Sequence, residues 1–195
     1  MTSLTGEFVA LRPLTSDDAQ LTLAWRQSRR ARFLNTGAQT VSDQAAWIAH
    51  RPDSERNFII ELADGRPVGM LSLIDIDLVN RRAETSRFLI GDEDAVRGVP
   101  AAVEAMKLLY EYAFGELGLI RLYGTVADGN RRMVQWQKYL GMQEEGRLRR
   151  HYLLDGEWHD AVCLGLLEHE YLEISLPRMN ALIGAARPSA ERSAS

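Results

Sequence analysis

Residues 57–91 hold three apolar stretches, NFIIELA (57–63), PVGMLSLIDID (67–77) and AETSRFLIG (83–91), separated by short turn-forming segments. Asp64 and Gly65 lie between the first two, and an Asp-Gly pair flanked by apolar runs is a strong hairpin signal. The turn VNRR separates the second from the third. Strands joined this tightly run antiparallel, because a parallel neighbour needs a crossover of about a dozen residues or more. Such a crossover follows. A helix is predicted over about 100–116, where Val103, Met106, Tyr110, Ala113, Phe114 and Leu117 recur at three- and four-residue spacings. Gly118 ends it, and IRLYGTVA (120–127) reads as a strand. Three antiparallel strands, a helical crossover and a further strand constrain the chain to the α/β (α+β) class, with a mixed, mostly antiparallel central sheet flanked by helices.

The flanking segments fill in the rest. FVALRPL (8–14) alternates and reads as a strand. Thr15, Ser16 and Asp17 offer an N-cap for a helix through about Arg29, and Ser42 offers one for a second helix in VSDQAAWIAH. NRRMVQWQKYL (130–140) is a short helix stopped by Gly141, and DGEW joins two final strands. The expected order is β-α-α-β-β-β-α-β-α-β-β in one domain over 1–172, with an extension at 173–185. ARPSAERSAS is small, polar and proline-containing, so about 186–195 reads as a disordered tail.

Charge and cysteine content exclude several function classes. With 23 basic and 27 acidic residues the net charge is −4, which gives no general attraction to nucleic acid. The single cysteine, Cys163, excludes an internal disulfide and fits a reducing, cytoplasmic setting. It lies in AVCLGLL and reads as a small buried residue. No apolar run approaches the roughly 20 residues of a membrane span. MTSLTGEF lacks the basic start and apolar core of a signal peptide. The four histidines show no metal-ligand spacing, so no metal is expected.

The stretch DAVRGVPAAVEAMKLL (94–109) is a glycine-containing loop that runs into the amphipathic helix. Loops of that kind cradle phosphates with backbone N–H groups. The element order over about residues 7–172 resembles the GCN5-related N-acetyltransferases (GNAT), as do LAWRQSRRARFLNTG, TVSDQAAWI and DGEWHDAVCLGLLEHEY. The resemblance is to the ribosomal-protein-acetyltransferase-like branch, which includes enzymes that acetylate amino sugars on nucleotide carriers. It implies acetyl-CoA (coenzyme A) as cofactor, wrapped at its pyrophosphate by a loop patterned Arg/Gln-x-x-Gly-x-Gly/Ala. Anchored on EAMKLL, that pattern falls on Arg97, Gly98, Val99, Pro100, Ala101 and Ala102. Arg97 and Ala102 match, whereas Pro100 replaces the first pattern glycine. Proline suits a helix start but has no N–H. If that N–H is a ligand, its loss forfeits roughly 1.5–3 kcal/mol and weakens cofactor binding about ten- to a hundredfold. The N–H groups near Gly98, Val99, Ala101 and Ala102 remain. The plainer alternative is that Pro100 only starts a helix.

The resemblance also implies that the backbone of Phe88, Leu89 and Ile90 pairs with the pantetheine arm and aims an N–H at the thioester carbonyl. Asn130 matches the family asparagine that caps the following helix and contacts the cofactor arm. Arg131 and Arg132 are within reach of phosphates or are a solvated helix start. Gln137 stands where many members carry a tyrosine that protonates the leaving thiolate; water would serve here. Tyr139 is about 200° away around the helix and does not take the role. Glu84, on the strand that becomes the cofactor edge, is the candidate general base. Arg26, Trp47, His151 and Tyr152 are candidate acceptor-binding residues. The Arg26, Arg29, Arg30 and Arg32 cluster suits a phosphate-bearing acceptor or is a solvated basic face.

The reading is an acetyltransferase that transfers an acyl group directly, in a ternary complex, to a small primary amine, with a free or nucleotide-linked amino sugar foremost. A protein N-terminus or an aminoglycoside is the alternative acceptor. A non-catalytic acyl-CoA-binding module with a degenerate pyrophosphate loop is the alternative from another class. No nucleic-acid or membrane partner is expected, and a homodimer is compatible with the resemblance.

Overall fold

The computed structural model describes residues 3–35 and 37–187. The hairpin expected at Asp64 and Gly65 joins β3 (Arg56–Leu62) to β4 (Pro67–Asp77), with Gly65 at φ +82°. The turn at 78–81 leads to β5 (Arg82–Ile90), where Asp77 accepts from the Val79 and Asn80 amides. The crossover helix is α3 (Ala101–Glu111), and a π-turn at Tyr112–Glu116 carries it on. β6 (Arg121–Ala127) returns parallel to β5. The remaining elements are β1 (Leu4–Thr5), β2 (Val9–Pro13), α1 (Ala19–Arg26), α2 (Val41–Ala49), α4 (Arg131–Tyr139), β7 (Gln143–Leu154), β8 (Glu157–Leu167), α5 (Glu168–Glu170) and α6 (Leu176–Ala186). The sheet has eight strands in the order β1-β2-β3-β4-β5-β6-β8-β7, antiparallel except at β5–β6.

Alternation along the central strands divides the core in two. Phe58, Ile60, Leu71 and Leu73 pack with Ala105, Leu109 and Tyr110 of α3 and Met179 of α6. Ile59, Met70 and Leu89 face the other way, against Trp25 of α1 and Ile48 of α2. Strands buried on both faces read as continuous apolar runs, which is why FII and MLSLI do not alternate cleanly. Gln44 of α2 donates to the Thr22 hydroxyl of α1 at 2.9 Å and couples the two helices inside that second layer. Glu104 is an acidic residue on the buried face of α3. Its carboxylate accepts from the backbone amides of Glu7, Phe8 and Val9 at 2.7–2.8 Å, fastening the N-terminal strand region to α3.

Four sequence expectations shift. The first helix is split: a 3₁₀ turn at Ser16–Asp18 precedes α1, which ends at Arg26, and a second 3₁₀ turn covers Arg29–Ala31. Thr15 and Asp18 form the expected cap, each side chain accepting or donating across the first turn. Thr40 rather than Ser42 caps α2, because its hydroxyl accepts from the Asp43 amide at 3.1 Å. Strand β1, only two residues long, has too short a pattern to read. The extension is an ordered helix: α6 buries Met179 and Ile183 and runs to Ala186, and residues 188–195 of the expected tail lie outside the described residues.

Candidate active site

The sheet opens where β5 and β6 part. Their pairing covers only Arg82–Glu84 against Arg121–Tyr123. Beyond it, β5 stays with β4 and β6 stays with β8. The Thr85 hydroxyl donates to the Tyr123 carbonyl at 3.3 Å where the strands separate. A cleft of about 1290 Å³ fills the gap. Its walls are β5 from Glu84 to Ile90, the segment from α1 to α2, the starts of α3 and α4, and Tyr152 of β7. Past Glu84, the β5 edge turned to β6 has no strand partner, so its backbone groups are available to an extended ligand, except the Ile90 carbonyl, which accepts from Arg30 Nε at 2.9 Å. Phe88, Leu89 and Ile90 all line this edge. The β4–β5 register slips between Met70/Leu89 and Ser72/Ser86, and Arg87 there has φ +54°. A bulge of this kind bends a strand and re-aims its side chains.

At one end of the cleft, Glu84 accepts from the Thr125 hydroxyl at 3.3 Å, and Thr125 Oγ1 lies 2.6 Å from the Tyr152 hydroxyl. Burial pushes the Glu84 carboxyl above its ordinary range, with Asp75 adding and the Thr125 hydrogen bond opposing. A base that works near neutral pH needs a shift in this direction. Burial likewise raises the Tyr152 phenol. Trp47 and Arg26 also line the cleft. Arg26 donates to the Asn35 carbonyl at 2.6 Å. Burial, and then the charge of Arg87, depress its guanidinium. Arg87 grips both Glu55 oxygens at 2.7 and 3.0 Å and lies 5.1 Å from the Trp47 ring centroid. His151 does not line the cleft, although its charge acts on Glu84 from outside the wall. It is exposed, edge-on to Tyr152, in a shallow depression with 147–150. Successive strand residues face opposite ways, so Tyr152 pointing in turns His151 out.

The other end lies under α3 and α4. Pro100 is the N-cap residue of α3, at φ −79°, and Gly98 takes φ +77° to bring the loop round. The Val99 amide is spent on the Val96 carbonyl at 3.0 Å, so it is not a free donor as expected from sequence. The amides of Ala101 and Ala102, in the first turn, have no helical acceptor. Ala102 and Arg97 line the cleft, whereas Gly98, Val99 and Ala101 shape the loop behind it. The Arg97 side chain is exposed and pairs with Asp94 at 2.7 Å. Asn130 caps α4, its Oδ1 accepting from the Met133 amide at 3.3 Å, and both Asn130 and Arg132 line the cleft. Phe88 stacks on Trp136 at 5.2 Å and forms an apolar floor. Gln137 lies buried in the cleft wall, and Tyr139, 55% exposed, points to solvent. Among the described residues no group of His, Cys, Asp and Glu could hold a metal ion. No described helix is long and apolar enough to cross a membrane.

Sequence reasoning missed Arg87, Thr125 and Trp136. Arg87 had a signal: in AETSRFLIG the alternation breaks after Arg87, where three apolar residues run together, as a bulge requires. Thr125 and Trp136 had none, because their neighbours in the cleft come from other elements.

A sheet split between parallel neighbours, with helix N-termini at its mouth and a half-buried carboxylate where the strands part, is the architecture of a GNAT acyltransferase. The chain belongs to that family: the model of the acetyltransferase (GNAT) domain matches residues 9–143. A spermidine N(1)-acetyltransferase of Escherichia coli (strain K12) is 34% identical over 119 residues, which cover 61% of this chain and 62% of that protein. The match thus spans under two thirds of the relative. A Bacillus subtilis protein, YdaF, whose name places it with ribosomal N-acetyltransferases, is 37% identical over 110 residues, covering 56% of this chain and 58% of that one. The crystal structure of a GCN5-related N-acetyltransferase from Brucella melitensis shares the fold, with a TM-score of 0.80 at 24% identity, over 97% of this chain and 89% of that one.

Proposed function

We propose that this acetyltransferase moves an acetyl group from acetyl-CoA directly to a small primary amine, with an amino sugar, free or nucleotide-linked, as the leading acceptor. The observation that carries this is the meeting, in one cleft, of the free β5 edge, two helix N-termini and a half-buried Glu84.

These residues fit the cofactor. The unpaired edge at Phe88, Leu89 and Ile90 suits an arm bearing amides. The Phe88–Trp136 floor suits its apolar links. The first-turn amides of α3, with Arg97, Asn130 and Arg132, suit phosphates, because helix N-termini and guanidinium groups both favour anions. When bound, the cofactor supplies an acyl group activated as a thioester. Glu84 accepts the proton that the amine must lose, directly or through one water, and its raised pKa brings its proton affinity closer to that task. The Thr125 hydroxyl holds the carboxylate in place. Edge amides of β5 are placed to stabilise an oxyanion. Cys163 is not in the cleft wall, which favours transfer without an enzyme-bound intermediate.

The test is release of the CoA thiol on a panel of primary amines. Amine-dependent release that falls in Glu84→Gln supports the reading. Binding of acetyl-CoA with no release on any amine supports the non-catalytic module instead.

A further inference from the structure

The charges of the cleft are unequally paired. Seven arginines and four carboxylates line it. Arg30 pairs with Glu93, Arg97 with Asp94 and Arg87 with Glu55. Arg26 has no ion pair among the described residues. It lies against Gly37, gives one hydrogen bond to the Asn35 carbonyl, and has another cation, Arg87, as its charged neighbour. A desolvated cation without a counter-charge is costly, and a ligand anion relieves that cost. Arg26, with one nitrogen on the Asn35 carbonyl, keeps planar donors of the kind that hold phosphate and carboxylate, whereas the Arg87 fork is already closed on both Glu55 oxygens. This end is separate from the α3 and α4 starts, where Arg30 and Arg132 are the neighbouring cations.

We propose that Arg26 is an anion subsite, and that the acceptor carries an oxyanion group held there while its amine lies at Glu84. The proposal rests on the acyl-transfer reading and narrows its substrate class. Glu84 on β5 and Arg26 on α1 line the same cleft from different elements, so the amine and the anion occupy different parts of the acceptor. A polycation such as spermidine would bring like charge against Arg26, so the substrate class named for the E. coli relative is disfavoured here.

The test is equilibrium binding to the full chain, with CoA present and absent, of matched amines: glucosamine 6-phosphate against glucosamine, 6-aminohexanoate against hexylamine, and spermidine. The phosphate or the carboxylate member binds about tenfold or more tightly than its neutral partner, consistent with a charge-assisted pair, and the arm with the larger ratio identifies the oxyanion. Arg26→Met brings that ratio to within about twofold, and Arg26→Lys, which keeps the charge, retains part of it. Equal binding within both pairs overturns the proposal. So does a ratio that survives Arg26→Met, or spermidine as the tightest ligand. Turnover on the same amines reports on the parent reading separately. Arg26-dependent anion binding without acetyl transfer keeps the subsite and removes the transferase. Transfer to neutral amines and spermidine alone does the reverse.

Discussion

The two ends of the cleft are made of different material. Under α3 and α4 the site is mostly backbone: the free edge of β5 and the first amides of two helices. Under α1 and α2 it is side chains: Glu84, Arg26, Arg87, Trp47 and Tyr152. Backbone donors are fixed by the fold and tolerate many sequences. Side-chain sites change their chemistry with one substitution. One end can therefore keep a common ligand across a family while the other admits different acceptors.

The largest expected effect separates the ends most sharply. Glu84→Gln should lower kcat by about 10²- to 10⁴-fold, the range for a lost general base, and leave the acetyl-CoA dissociation constant unchanged. It should not destabilise the chain at pH 8. The folded pKa of Glu84 is raised, so its favourable contribution is present at low pH and lost as pH rises through that pKa. Thermal melting of the variant at pH 8 should match or exceed the wild type. The same shift places the acid limb of kcat/KM above the ordinary glutamate value of about 4.3, and a pH–rate profile checks it.

Next is a change behind the cofactor end. Glu104→Ala removes the acceptor of three backbone amides and should cost about 3 kcal/mol. That lowers the melting temperature by about 6–12 °C in a domain of this size. If melting is unchanged, the N-terminal strand region does not depend on α3. The smallest effect is at Pro100. Pro100→Gly restores an amide at the α3 cap and should tighten acetyl-CoA binding about tenfold, the lower end of a charge-assisted bond. Calorimetry showing no gain would mean that this position faces no phosphate.

What sequence revealed divides along the same line. The β3–β4 hairpin, the α3 crossover and the β7–β8 hairpin were legible because turn chemistry and periodicity are local. The α2 cap moved from Ser42 to Thr40 because both are good capping residues and only the Asp43 amide selects between them. Glu84 and Tyr152 could be nominated from their strands, but the Thr125 hydroxyl that links them could not. The role of Glu104 leaves no local mark in the sequence, since its partners stand some 95 residues earlier. The Phe88–Ile90 edge leaves no side-chain mark and came only through family resemblance.

The most direct test is a calorimetric titration of the wild type and Glu84→Gln with acetyl-CoA, paired with acetyl transfer to one accepted amine. Both proteins should bind acetyl-CoA at the same micromolar concentration, and only the wild type should turn over rapidly. No binding by the wild type at millimolar acetyl-CoA, or loss of binding in Glu84→Gln, would contradict a cleft whose two ends work separately.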